Sequence, residues 1–230
     1  VPAPGDFDGD GVLDLTVFRP SNGTWFRVES LTGNVSGFQF GANGDVPVVG
    51  DYDGDGTSDL ALFRPSNGVW YILQSTGGFT YVQFGANGDS PVVGAYDGAG
   101  RTDVCVFRPS NGSWFRIHSS NGQFVPLGFG ANGDVPVRGD FNGGGQADLA
   151  VFRPSNGTWY FTFTENGQFS ALQFGAPGDI PVASDYDGDN TTDIGVWRPS
   201  TGIWYIIRSF SGSFYSVQFG ASGDVPVASQ

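Results

Sequence analysis

Four aspartates at nearly alternate spacing open the chain: Asp6, Asp8, Asp10 and Asp14 in DFDGDGVLD. Carboxylates at loop positions 1, 3, 5 and 9, with Gly11 at position 6 for the sharp turn, are spaced to converge on one cation, and a backbone carbonyl at position 7, from Val12, adds a further oxygen. The ladder returns intact as Asp51, Asp53, Asp55 and Asp59, with Thr57 at position 7. It returns again as Asp185, Asp187, Asp189 and Asp193, with Thr191 at position 7. There Asn190 replaces the glycine and is expected to take the left-handed turn. Hard oxygen donors without histidine or thiolate favour Ca2+ over Mg2+ or a transition metal.

At position 12, where an EF-hand carries its bidentate glutamate, the chain has Val17, Leu62 and Val196. The ninth-position aspartate is therefore expected to close each site, and an apolar strand follows at once. Two further copies have lost ligands. AYDGAGRTD keeps Asp97 and Asp103, with Ala95 and Ala99 offering nothing, and DFNGGGQAD keeps Asp140, Asn142 and Asp148. These two are expected to be weak or empty, and for them Asp-Gly turn formation alone is a sufficient reading. Three bound ions would bring the net charge of −13 to −7 and are expected to stabilise the fold.

The loops are positioned by a repeat. Arg19, Arg64, Arg108, Arg153 and Arg198 of the [FW]-R-P-S word stand at steps of 45, 44, 45 and 45 residues, so one structural unit recurs five times. The repeats run roughly over 1–45, 46–89, 90–134, 135–179 and 180–230. Within the second, Val46 to Val49, Asp59 to Arg64, Val69 to Gln74 and Phe79 to Phe84 read as four short strands separated by Gly-rich and Asn-Gly breaks. Both faces of such a sheet are apolar, Leu60 and Leu62 on one and Ala61 and Phe63 on the other, so each needs covering twice. The expected fold is all-β: one five-bladed β-propeller over residues 1–230, four antiparallel strands per blade, closed by a terminal strand. Val1-Pro2-Ala3-Pro4-Gly5 and Val225-Pro226-Val227-Ala228-Ser229 both align with Val46 to Gly50, giving six candidates for five first-strand places. One is expected to complete the set and the other to fringe an edge, the N-terminal copy being the poorer strand because Pro4 lacks an amide donor.

Composition narrows the partners. The 23 acids outnumber the 10 bases, all of which are arginine, so the basic stripe that nucleic acid requires is missing. No run has the length of a membrane helix, and without a signal peptide or initiator methionine the chain reads as a mature or excised segment. The single cysteine, Cys105, sits in the strand run VCVF and reads as a small buried hydrophobe. The five arginines are expected to pair with Asp45, Asp89, Asp134, Asp179 and Asp224 of the G-D-x-P word, the alternative being a ring that recognises carboxylates or acidic sugars. Trp25, Trp70, Trp114, Trp159 and Trp204 are expected to pack between blades, the alternative being sugar-stacking platforms. The variable hairpins after the third strand of each repeat, Glu29 to Gly37 and Arg208 to Ser213 among them, are where partner-specific chemistry would lie.

The intact loops, with the words F-G-A-x-G-D and V-P-V-x-G-D, resemble the FG-GAP or VCBS-type repeat of secreted bacterial proteins and the calcium hairpins of integrin α-subunit propellers. The resemblance spans essentially the whole chain. It implies calcium in the hairpin between the first and second strands, a secreted or cell-surface location, and a role in adhesion or as an accessory module. Integrin propellers have seven blades against five repeats here, so no partner surface is carried over. Three readings of function follow. The leading one is a non-catalytic, calcium-stabilised binding or adhesion module for a glycan or an extracellular protein. The second is a carbohydrate-active enzyme, or its accessory domain, with a site at the propeller axis; two glutamates and one histidine give it no acid/base set. The third is a structural or idealised propeller with no ligand beyond calcium.

Overall fold

Runs of β-branched and aromatic residues only five or six long, each stopped by an Asp/Gly or R-P-S-[NT]-G turn, can form strands but not helices. The computed structural model describes residues 1–227, and among them there are nineteen strands and no helix. The strands form five sheets, the blades of a β-propeller. Blade one holds β1 (Leu15–Arg19), β2 (Thr24–Val28) and β3 (Val35–Gln39). Blade two holds β4 (Val46–Pro47), β5 (Leu60–Arg64), β6 (Val69–Gln74) and β7 (Gly78–Gln83). Blade three is β8 (Ser90–Pro91), β9 (Val104–Arg108), β10 (Ser113–Ile117) and β11 (Phe124–Gly128), and blade four is β12 (Val135–Val137), β13 (Leu149–Arg153), β14 (Thr158–Thr162) and β15 (Phe169–Gln173). Blade five is β16 (Ile180–Pro181), β17 (Ile194–Arg198), β18 (Ile203–Ile207) and β19 (Phe214–Gln218). Neighbours in sequence are neighbours in each sheet. By compactness the chain divides into two units, Val1–Arg108 with Phe115–Pro126, and Pro109–Trp114 with Leu127–Gln230.

The hairpin between the second and third strands of a blade shows why its word is fixed. In blade two Arg64 faces Val69 and Phe63 faces Trp70 across the ladder, and the Gly68 N–H closes the turn on the Arg64 carbonyl at 2.8 Å. Gly68 has φ +67°, and a Cβ there would run into the Gly85 carbonyl, so only glycine serves.

The first strand of blade one is the N-terminal copy. The Ala3 N–H donates to the Thr16 carbonyl at 3.0 Å and the Phe18 N–H to the Val1 carbonyl at 2.8 Å, with Pro2 opposite Val17. The segment expected to be the poorer strand thus fills the place, within its own blade. Its bonds are made by Val1 and Ala3, so the missing amides of Pro2 and Pro4 fall at positions that need no donor. Val225 to Val227 form no strand, and Ala228 and Ser229 lie outside the described residues.

Burial follows the two-faced expectation in the middle blades. β9 and β13 are buried at every position before their arginine. The core between blades one and two gathers Ala3, Phe18, Trp25 and Leu62, and that between blades four and five gathers Phe152, Trp159, Phe161 and Val196. β1 differs, alternating exposed and buried along its length.

Candidate metal centre

Each aspartate loop joins the first two strands of its blade and lies against the hairpin between the third and fourth. The ninth-position aspartate makes that junction. Asp59 is fully buried; its Oδ2 accepts the Tyr52 N–H at 2.8 Å and its Oδ1 the Ser75 N–H at 2.7 Å. Asp14 does the same with Phe7 and Ser30, Asp103 with Tyr96 and Ser119, Asp148 with Phe141 and Thr164, and Asp193 with Tyr186 and Ser209. Because the eroded blades keep this bond pair, the ninth aspartate is first a staple between loop and hairpin. Closing an ion site is at most its second role.

The other positions build the loop. Asp6 accepts the N–H groups of Gly9 at 2.7 Å and Gly11 at 2.8 Å, as Asp51 does from Gly54 and Gly56, and Asp185 from Gly188 and Asn190. This turn requires a left-handed sixth residue, supplied by Gly11 at φ 83° and by Asn190 at φ 65°. Fifth-position Asp10, Asp55 and Asp189 each accept the N–H of the seventh residue, Val12, Thr57 or Thr191, at 2.8 Å. Third-position Asp8 accepts the Leu31 N–H at 3.2 Å, and Asp53 accepts the Thr76 hydroxyl at 2.6 Å.

Three groups of carboxylates converge, with ligand atoms within 4.8 Å of one another: Asp6, Asp8 and Asp10; Asp51, Asp53 and Asp59; Asp185, Asp187 and Asp193. Asp14, Asp55 and Asp189 belong to the same loops but lie outside these triples. Crowding registers in the titration of two members. Burial, then Asp193, Asp189 and Asp185, pushes the Asp187 carboxyl up. Burial also raises Asp59, against the pull of the Ser75 and Tyr52 N–H groups and with a smaller push from Asp53. Asp55 moves the other way, its carboxylate favoured first by the Ser75 hydroxyl and then by the Thr57 N–H.

One set of residues escaped the sequence reading. The hydroxyls of Ser30, Ser75 and Ser209 donate to Asp10, Asp55 and Asp189 at 3.0, 2.8 and 3.0 Å. The signal was present: a serine or threonine recurs sixteen residues after every ninth-position aspartate.

The eroded loops are held by other contacts. In blade three Arg101, at position 7, donates to the Ser119 carbonyl at 2.5 Å, placing a fixed cation in a loop that has lost two acids. In blade four the Asn142 amide donates to Glu165 at 3.0 Å. Burial, opposed by the Phe141 and Thr164 N–H groups, with Glu165 and Asp140 adding repulsion, pushes the Asp148 carboxyl up to about 6.

Four of the five arginines and four of the five tryptophans take the structural places expected of them, while Arg19 and Asp224 show no pair among the described residues and Trp204 is half-buried. Arg64, Arg108, Arg153 and Arg198 grip Asp45, Asp89, Asp134 and Asp179 through paired Nε–Oδ1 and Nη2–Oδ2 bonds of 2.7 to 2.9 Å. Trp25, Trp70, Trp114 and Trp159 are fully buried, and each indole N–H donates to the carbonyl of the phenylalanine in the F-G-A word.

A scan against protein-family models gives no match, and neither does a search of curated protein sequences. Solved structures do match in fold. A streptogramin B lyase superposes with a TM-score of 0.63 at 13% identity, over 92% of this chain and 67% of that one. Virginiamycin B lyase from Staphylococcus aureus gives 0.62 at 11%, over 90% and 66%. An Agrocybe aegerita lectin that recognises non-reducing terminal N-acetylglucosamine gives 0.63 at 16%, over 94% and 64%. The chain therefore spans about two thirds of the length of each of these chains, and what it shares with them is the β-propeller fold.

Proposed function

We propose that this chain is a non-catalytic, calcium-binding β-propeller module of the FG-GAP/VCBS type, acting at the cell surface or in secretion by binding a glycan or an extracellular protein. The observation that carries the reading is the recurrence of a converged acid triple in blades one, two and five, the blades whose ladders are intact. Calcium would be held by Asp6, Asp8, Asp10 and Asp14 with the Val12 carbonyl, by Asp51, Asp53, Asp55 and Asp59 with that of Thr57, and by Asp185, Asp187, Asp189 and Asp193 with that of Thr191. The donor set fits: every side-chain donor is a hard carboxylate oxygen, and the repulsion from Asp193, Asp189 and Asp185, which after burial pushes Asp187 up, is what a divalent cation would relieve. When bound, the ion neutralises the cluster. The chain's own residues do the rest, the ninth aspartate and the hairpin serine fixing the loop against its neighbouring hairpin.

A binding role follows from repetition, which supplies several equivalent surfaces. The fold shared with an N-acetylglucosamine-recognising lectin supports a glycan as one partner class to test. The fold shared with lyases makes catalysis the competing reading, but both glutamates are engaged, Glu29 by Arg27 and Thr32 and Glu165 by Asn142. His118 is the chain's one histidine and lies in the outer hairpin of blade three. Binding to a glycan array and to extracellular-matrix proteins, with and without chelator, tests the proposal: calcium-dependent capture supports it. Turnover of polysaccharide or of a streptogramin B, with no calcium-dependent capture, overturns it.

A further inference from the structure

Aspartate loops of consecutive blades are tied to each other by backbone hydrogen bonds inside each compact unit. In the first unit the Ser58 N–H of the blade-two loop donates to the Asp6 carbonyl of the blade-one loop at 2.6 Å, and the Thr102 N–H of blade three donates to the Asp51 carbonyl of blade two at 2.6 Å. In the second unit the Thr192 N–H of blade five donates to the Asp140 carbonyl of blade four at 2.7 Å. In each pair the eighth residue of one loop rests on the first residue of the loop before it. Side chains follow the backbone: a Cβ on Gly9 would stand 3.3 Å from the Thr57 hydroxyl, and one on Gly143 would stand 3.0 Å from that of Thr191.

Of these three pairs, only blades one and two carry four aspartates in both loops. There the bond joins two ligand sets. The peptide that offers its N–H at Ser58 offers its C=O at Thr57, the seventh-position oxygen of the blade-two loop. The peptide that accepts it, Asp6 to Phe7, sends its own N–H to Asp14 Oδ2 at 3.0 Å, the ninth-position carboxylate of the blade-one loop. Both peptides are planar, so neither the Thr57 oxygen nor the Phe7 N–H can turn without moving the Ser58–Asp6 bond. The other two bonds join an intact loop to an eroded one, which keeps Asp97 and Asp103 in blade three and Asp140, Asn142 and Asp148 in blade four.

We propose that the loops of blades one and two take up calcium cooperatively, the ordering of either loop presenting the ligands of the other through the Ser58–Asp6 bond. This rests on the calcium reading of these loops. When Asp6, Asp8 and Asp10 close on an ion, the Asp6 peptide is fixed, and less freedom is left to lose when Thr57 and Asp59 are fixed in turn. Linkage makes the gain reciprocal.

Calorimetric titration and native mass spectrometry of the chelator-stripped full chain test it. In Asp185→Asn, which leaves the ladders of blades one and two, fewer one-ion chains are expected at half saturation than two independent sites would give. Asp8→Asn/Asp185→Asn and Asp53→Asn/Asp185→Asn each leave one complete ladder, and melts in chelator check that both fold. The overall two-ion constant of Asp185→Asn is expected to exceed the product of the two single-ladder constants at least about five-fold. Amide exchange reads the bond itself: in Asp53→Asn/Asp185→Asn, where only the blade-one ladder is complete, calcium is expected to slow exchange of the Ser58 N–H. Constants that simply multiply, or exchange at Ser58 that calcium leaves unchanged, overturn the coupling and leave calcium binding in place. No ion in any of these chains overturns the calcium reading, and the coupling with it.

Discussion

Arg64 and Asp45, nineteen residues apart, meet through two parallel hydrogen bonds, Nε to Oδ1 at 2.7 Å and Nη2 to Oδ2 at 2.8 Å. The carboxylate has no solvent exposure while the guanidinium retains 29%, and the Tyr71 ring lies 4.5 Å beneath it. Removing the arginine strands a buried charge, the costly way to break such a pair. Arg64→Met is expected to lower unfolding free energy by about 3 kcal/mol, whereas the double variant Arg64→Met/Asp45→Asn, which removes the buried charge as well and keeps an acceptor for the Ala42 N–H, is expected to cost less. Denaturant melts of the two variants check the difference. Equal costs would show that the stranded carboxylate is not what makes the loss of Arg64 expensive.

The staple role of the ninth aspartate separates from ion binding in blade three, whose loop has lost its acid ladder. Asp103 there still accepts the Tyr96 N–H at 2.7 Å and the Ser119 N–H at 2.6 Å. Asp103→Ala leaves one buried and one half-buried donor unpaired and is expected to cost on the order of 2–4 kcal/mol with or without calcium. Asp53→Asn, at a half-buried position of an intact loop, is expected to change stability little in chelator and to lose most of blade two's calcium-dependent gain. Thermal melts in calcium and in chelator distinguish the two behaviours.

Asp148 gives a pH dependence of definite sign. Its folded-state pKa is raised to about 6 by burial first, above the ordinary carboxylate value of the unfolded chain. The protonated form is thus favoured by folding: this contribution is full below the ordinary carboxylate range and is lost as pH rises through about 6. A carbon-detected titration of the Asp148 carboxyl is expected to show a midpoint near 6, which Glu165→Gln moves downward. A midpoint in the ordinary range would remove the buried, crowded environment assigned to it.

The chemistry-bearing words were largely legible. Four of the five arginine partners followed from equal numbers and identical phase, and the left-handed Asn190 followed from its place in the glycine series. The staple role of the ninth aspartate did not, because the letters of an intact loop cannot separate a ligand from an acceptor of backbone N–H groups. Only the serine or threonine sixteen residues later points to the hairpin that the aspartate holds.

Calcium stoichiometry tests the central claim most directly, counted by native mass spectrometry and by calorimetric titration of the chelator-stripped chain. The account predicts three ions per chain, two after Asp185→Asn, and a melting temperature that rises with calcium. No bound ion, a count unchanged by Asp185→Asn, or a melting temperature indifferent to chelator would contradict it.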